Sequence, residues 1–276
     1  TLLFMGPIST RSGYGDHGRD LVLSLIKMDK YDVKIISTRW GACPMNQLDP
    51  DNEDHRLILE RILVEPLQSK PNIFVQLSVP NEFQQIGDFS IGITAGIETT
   101  VMPVDFVKGC NNMHLIIVPS LHAKQVMEST QFQEQHSQTG QVMGVHKVNV
   151  PIEILFEGSD INVYNDKYNP DVELERQFSA IPEDSNFLFV GHWLEGEIGQ
   201  DRKDVGMLIK TFLTVFKNNP NAPGLILKTS RATFSVIDRI DLLNRITAIK
   251  NGMKGKLPNI YLLHGDLSPD QMNSLY

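Results

Sequence analysis

The sequence predicts an α/β protein of two domains, each a largely parallel sheet wound on both faces by helices. Three observations carry this expectation. Short apolar runs alternate with amphipathic helical stretches along the chain, the pattern of βα units in a parallel sheet covered on both sides. The alternation occurs twice, on either side of a polar stretch with two prolines and no periodicity. The length of 276 residues suits two domains of ordinary size, each with its own core. The expected division is a first domain over 1–165, a linker over 166–185 and a second domain over 186–276.

In chain order, Leu2 to Met5 reads as a buried strand. A Gly/Ser-rich loop follows, then a helix from about Asp16 whose Leu21, Val22, Leu25 and Ile26 share one face. A strand at Asp32 to Ser37, a helical stretch around Asp54 to Leu63, and strands at Asn72 to Leu77, Ile91 to Thr94 and Leu115 to Val118 complete the first domain, with a helix opening after Pro119-Ser120. In the second domain the strands are Asn186 to Gly191, Gly224 to Lys228 and Asn259 to His264. The helix at Asp204 to Asn218 carries Val205, Leu208, Ile209, Phe212, Val215 and Phe216 on one stripe, and another helix runs around Phe234 to Ile249. A last helix opens at Ser268-Pro269, where Ser suits the N-cap and Pro the first turn. Three strands leave raw sheet edges, so the second domain is expected to be incomplete.

Composition narrows the function. Hydrophobic residues make up 41% and charged residues 21%, and no apolar run approaches a membrane span. No N-terminal stretch reads as a secretion signal, so a cytoplasmic protein is expected, with a peripheral membrane contact left open. Cys43 and Cys110 stand far apart, with no CxxC and no paired histidines, which argues against a zinc site and against a disulfide framework. The formal charge of −8 lies in the first two thirds of the chain, because basic and acidic residues nearly balance from Glu183 onward. That discourages a nucleic-acid partner.

Four stretches carry candidate chemistry. "SGYGDHGRDL" contains G-x-G-x-x-G in Gly13, Gly15 and Gly18 between the first strand and its helix. Bare N–H groups at a helix N-terminus can cradle phosphate. In a dinucleotide fold the first glycine closes the strand directly; here Gly6 and Gly13 are separated, and the second strand ends in Ser37-Thr38-Arg39, which supports only an NADP reading. A structural turn and a loop lining a ligand cleft are the alternatives. "GQDRKDVGMLIKTF" places Arg202 and Lys203 before the second domain's first helix, either as an anion site fit for a diphosphate or as a solvated charge pair. "LILKTS" and "LLHGDLSPDQM" put Lys228, Thr229 and Ser230, and then His264 and Gly265, at the carboxyl ends of strands, where open α/β sheets bind ligands. Glu98, in "GITAGIETTVMPVDF", lies beyond a strand of the first domain and is either a carboxylate for sugar chemistry or a partner of the helix opening near Pro103.

Taken together, these stretches resemble the GT-B glycosyltransferases of the GT4 type, over nearly the whole chain. "GPISTRSGYGDHGRDL" is similar to that family's glycine loop, and "GITAGIETTVMPVDFVKGCNNMHLIIVPSLHAKQVM" resembles its E-T-x-x-x-P segment followed by I-x-V-P-S. "FLFVGHWLEGEIGQDRKDVGMLIKTF", "LILKTS" and "NIYLLHGDLSPDQMNSLY" resemble its nucleotide-sugar domain. The resemblance implies two Rossmann-like domains facing a cleft, in which a sugar passes from a nucleoside diphosphate sugar to a carbohydrate or other acceptor, with retention and with no cofactor or required metal. It implies that Arg202, Lys203, Gly13 and Gly15 meet the diphosphate. Gly191, His192, Lys228, Thr229, Ser230, His264 and Gly265 would lie near the nucleotide, and Glu98 would be catalytic.

The chain departs from the family pattern in three ways. Gly96 stands where many relatives have His, His192 stands where Arg is common, and the sequence stops before an E-x7-E segment whose last Glu binds ribose. An NADP-dependent oxidoreductase built on the three glycines and Arg39, and a non-catalytic GT-B-like binding protein, are the competing readings.

Overall fold

The computed structural model describes the chain except at residues 136–138, 140, 168–169, 195–197 and 232. It divides into two compact units, Thr1–Gly158 and Ser159–Tyr276.

In the first unit, β1 (Leu2–Gly6), β2 (Val33–Ser37), β3 (Ile73–Leu77), β4 (Phe89–Ile93), β5 (Leu115–Val118) and β8 (Ile152–Ile154) form one sheet in the order β2-β1-β3-β4-β5-β8. Every pairing in it is parallel. Alternation along the strands feeds two cores. Leu2, Phe4, Val33, Ile35, Val75 and Leu77 point to the face covered by α1 (Gly13–Lys27) and α2 (Glu53–Leu59), which contribute Val22 and Ile58. Leu3, Phe74, Ile116 and Val118 point the other way, onto Val107 and Cys110 of α3 (Val104–Cys110) and Val126 and Met127 of α4 (Leu121–Ser129). A sheet buried on both faces is what continuous apolar strands require.

The hairpin of β6 (Phe132–Gln135) and β7 (Val142–His146) and the short strand β8 are additions to the elements expected from sequence. β6 is polar and β8 only three residues long, so neither carries a readable period.

In the second unit β9 (Asn186–His192), β10 (Gly224–Ser230) and β11 (Ile260–Leu263) pair in parallel in the order β11-β10-β9. α6 (Val205–Phe216) and α7 (Val236–Asn251) share a core with this sheet through Ile209, Leu213, Leu225, Leu227, Leu242 and Ile246. Ahead of it, the stretch read as a linker carries a helix, α5 (Val172–Phe178). Asp171 caps it by accepting from the Glu173 and Leu174 amides at 3.1 and 3.0 Å. The same residue ties it to α8 (Pro269–Leu275) through Gln271 and Ser274, both at 3.2 Å. Seven residues are too few for a periodic pattern, and this helix is fixed by its cap and its neighbour instead. No helix among the described residues is long and apolar enough to cross a membrane.

The closest backbone approach in the first unit constrains α3. A Cβ built on Gly109 would sit 1.8 Å from the Pro80 carbonyl oxygen, so any side chain there forces the helix off the turn at Pro80–Glu82. Gly109→Ala should therefore destabilise the protein by about 1–3 kcal/mol, read as a lowered urea midpoint at unchanged slope.

Candidate functional site

The strand ends of the second unit are brought level by register: Gly191 of β9 lies beside Thr229 of β10, and His192 beside Ser230. Lys228 of β10 pairs with Leu263 of β11, so the chain leaves β11 at His264-Gly265 on the same edge. Gly191, His192, Lys228, Thr229, Ser230, His264 and Gly265 are thus collected along one carboxyl edge, as expected of an open parallel sheet.

Their side chains divide into those turned inward and those at the edge. Lys228 donates to the Gly265 carbonyl and lies 5.4 Å from the Phe234 ring centroid. Burial pulls its pKa down, opposed by the Asp266 charge. Gly265, at φ +136°, takes a backbone conformation that disfavours any side chain. The His264 imidazole is 95% buried as a side chain and its Nε2 donates to Asp238 Oδ2 at 2.9 Å. Any ligand contact at this position therefore falls to the backbone of His264-Gly265. His192 Nδ1 is 3.1 Å from the Arg231 carbonyl and 3.2 Å from Ser230 Oγ. A carbonyl only accepts, so the His192 Nδ1–H donates to that of Arg231. Thr229 is buried, and its hydroxyl has no hydrogen-bond partner among the described residues.

Asp238, which sequence reading did not single out, joins these groups. Its Oδ2 accepts from His264 Nε2 and also from the Arg231 amide at 3.0 Å. Arg231 in turn supplies the carbonyl that fixes His192 and pairs with Asp241 at 3.1 Å. Asp238 sits in the first turn of α7, where its only sequence signal is an acid after the Ser235 cap.

Arg202 and Lys203 lie exposed on the turn into α6. Asp204 caps that helix from a left-handed conformation, φ +44°, its Oδ1 accepting from the Gly199 and Met207 amides at 3.0 and 3.3 Å. The turn carries Lys203 Nζ to 3.4 Å from the Val190 carbonyl. There it lies so close to Gly191 that a Cβ would stand 2.6 Å from it. Lys203, a helix N-terminus and the open end of β9 therefore coincide, with Arg202 next to Lys203 in the chain, an arrangement suited to a phosphate.

In the first unit Ser12 caps α1 by accepting from the Gly15 amide at 3.0 Å, so that N–H is already engaged. A Cβ on Gly15 would lie 2.3 Å from the Thr10 carbonyl oxygen, and one on Gly18 2.8 Å from Ile8, whereas Gly13 faces open space. Gly15 and Gly18 are glycines for packing. Arg39 is exposed just beyond β2.

Tyr14, next to Gly13, reaches the loop after β4: its hydroxyl accepts from the Ala95 amide at 2.9 Å and lies 3.3 Å from Thr94 Oγ1. Its ring stacks on Trp40, centroids 4.0 Å apart and planes 22° apart. Burial raises the phenol pKa most; the Thr94 and Ala95 hydrogen bonds oppose this, and the Glu157 and Glu98 charges add to it. Exposed Glu98 is thereby placed in the electrostatic neighbourhood of Tyr14, on the loop that ends at Pro103, the N-cap of α3. An apolar hollow of about 430 Å³ in this unit, lined by Leu3, Ile36, Leu63, Leu67 and Ile86, includes none of these residues. Among the described residues no group of three or more His, Cys, Asp or Glu is placed to hold a metal ion.

No protein-family model and no curated protein sequence matches the chain. Solved structures do. One described as trehalose-6-phosphate from E. coli bound with UDP-2-fluoro glucose aligns over 100% of this chain and 76% of its own, with a TM-score of 0.52 at 10% identity. An OtsA apo structure aligns over 99% of this chain and 75% of its own, with a TM-score of 0.52 at 11% identity. Trehalose-6-phosphate synthase OtsA aligns over 96% of this chain and 55% of its own, at 12% identity and a TM-score of 0.42, too low to establish a shared fold. The first two show that the chain has an α/β fold like that of the Rossmann-like GT-B glycosyltransferases.

If Asp238 holds the edges of β10 and β11 together, Asp238→Ala should destabilise the second unit by about 1–3 kcal/mol for each donor left unpaired. Asp238→Asn, whose amide oxygen can take both donors, should lose less. Trp193, fully buried in that unit, reports the unfolding midpoint once Trp40 is replaced by Phe.

Proposed function

We propose that the chain is a GT-B glycosyltransferase that moves a sugar from a nucleoside diphosphate sugar to an acceptor hydroxyl, with retention and without a required metal. The observation that carries the reading is the turn into α6, where Lys203, next to Arg202 in the chain, stands at a helix N-terminus against the open end of β9. The fold likeness to a protein described as bound to UDP-2-fluoro glucose supports the same donor class. In this reading the acceptor oxygen bonds to the anomeric carbon on the face the diphosphate leaves, and the hydroxyl proton passes to the departing diphosphate oxygen as its bond to that carbon breaks. Arg202, Lys203 and the start of α6 take up the charge of the departing diphosphate. Lys228, Thr229, Ser230, Gly191, His192 and the backbone at His264-Gly265 lie toward the nucleotide. Gly13, at the open start of α1, contributes its amide, and Gly15 keeps that loop close to the helix. Glu98 serves the reacting sugar as a carboxylate beside the acceptor.

Calorimetric titration with UDP, GDP, ADP and NADPH, with and without magnesium, tests the reading. One nucleoside diphosphate should bind without metal, and the Arg202→Ala/Lys203→Ala double variant should bind it at least about tenfold more weakly with the fold intact, since each charge-assisted contact is worth about 1.5–3 kcal/mol. Unchanged affinity in the double variant removes the diphosphate assignment, and binding of NADPH alone replaces the transferase with an oxidoreductase. Glu98→Gln should lower turnover by more than it lowers donor affinity; the reverse pattern takes Glu98 out of the chemistry.

A further inference from the structure

The first unit carries a half-buried aromatic pair at the entry to α1. Of the two tryptophans, Trp193 is fully buried in the second unit's core. Trp40 is half-buried beyond the end of β2 and stacks on Tyr14. Tyr14 is fixed by the Ala95 amide at 2.9 Å and by Thr94 Oγ1 at 3.3 Å. A ring immobilised by its own protein offers contact area at little conformational cost on binding. The open space around Gly13, next to Tyr14, leaves room beside the pair. The charges that act on the Tyr14 hydroxyl are those of two exposed carboxylates, Glu98 and Glu157.

We propose that the Tyr14–Trp40 pair is a sugar-binding platform and that its ligand is a neutral saccharide rather than a sugar phosphate. A pyranose carries an apolar C–H face, which suits an aromatic ring, and a rim of hydroxyl donors, which suits carboxylate acceptors. A phosphate near Tyr14 meets the like charge of Glu98 and Glu157. Arg39, adjacent to Trp40 in the chain, is the cation that favours the phosphorylated ligand instead, so the test sets the two classes against each other. The inference deepens the glycosyltransferase reading by naming its acceptor class, and rests on that reading only for the word acceptor.

The test uses the full chain without nucleotide. The protein is titrated with the methyl glycosides of glucose, galactose, mannose and N-acetylglucosamine, and in parallel with the corresponding 6-phosphates, while Trp emission is followed. At least one neutral glycoside should change the emission saturably. The signal should vanish in Trp40→Phe, and Glu98→Gln should weaken the binding about five- to tenfold, the value of one hydrogen bond to a charged group, with the thermal melt unchanged in both. Silence across the neutral panel overturns the proposal, as does tighter binding of a 6-phosphate. Because no donor enters this measurement, saccharide binding by a chain that binds no nucleotide would defeat the transferase reading and leave the platform standing. Nucleotide binding with a silent panel would do the reverse.

Discussion

The first unit is organised around one buried guanidinium. Arg19, on the inner face of α1, is 5% exposed and donates to the Ile8 carbonyl at 2.7 Å and the Thr10 carbonyl at 2.9 Å, and to Asp16. Desolvating such a group costs several kcal/mol unless acceptors surround it, and burial accordingly lowers the Arg19 pKa while the Asp16 charge opposes that shift. The three acceptors fix the path of the loop from β1 to α1. With the Thr10 carbonyl held against the helix, only glycine fits at position 15. With the helix start set, Tyr14 reaches Thr94 and Ala95 across the end of β4. The position of the Glu98 loop thus follows from a hydrogen-bonded arginine 79 positions before Glu98 in sequence.

Asp238 plays the corresponding part in the second unit, by a different arrangement. One carboxylate oxygen takes donors from two strand exits, so the ends of β10 and β11 are fastened through α7. The His264 imidazole is turned inward as a consequence, while His192 is oriented by the Arg231 carbonyl. The cationic turn ahead of α6 depends on neither. Asp204 holds it from a left-handed backbone that aspartate tolerates better than most residues, and the Asp201 carbonyl accepts from the Asp204 amide at 2.9 Å.

The sequence made the strands legible because the two faces of a parallel sheet leave their apolar residues in uninterrupted runs, as in Leu2 to Met5 and Leu115 to Val118. It also showed which strand ends would share an edge, because parallel strands point their carboxyl ends the same way. Side-chain direction was not legible. His264 and His192 look equivalent as residues following a strand, yet one is buried on Asp238 and the other lies half-buried against Arg231. The glycine motif misleads for a related reason: Gly13 faces open space, Gly15 is required by the Thr10 carbonyl and Gly18 packs against the Ile8 side chain, contacts that a linear pattern cannot reveal. The importance of Tyr14 lies in long-range contacts and that of Arg19 in the carbonyls of the loop just before its helix, while α5 is set by its cap and by α8.

The uneven charge of the chain fits this division of chemistry. The formal charge of −8 resides almost wholly before Glu183, so an anionic ligand gains little from approaching the first unit except at the few cations that interrupt it. Of the formal charge, −6 lies in the first unit and −2 in the second, where the turn at Arg202-Lys203 presents two exposed cations between Asp201 and Asp204. Association with a dianion is accelerated where the local potential is positive and slowed where it is negative, and a neutral sugar is indifferent to both. In the glycosyltransferase reading the diphosphate is held in the second unit by the local contacts of that turn, not by the unit's overall charge. The first unit must recognise its ligand by other means, and the means it displays are an immobilised aromatic face and carboxylate acceptors.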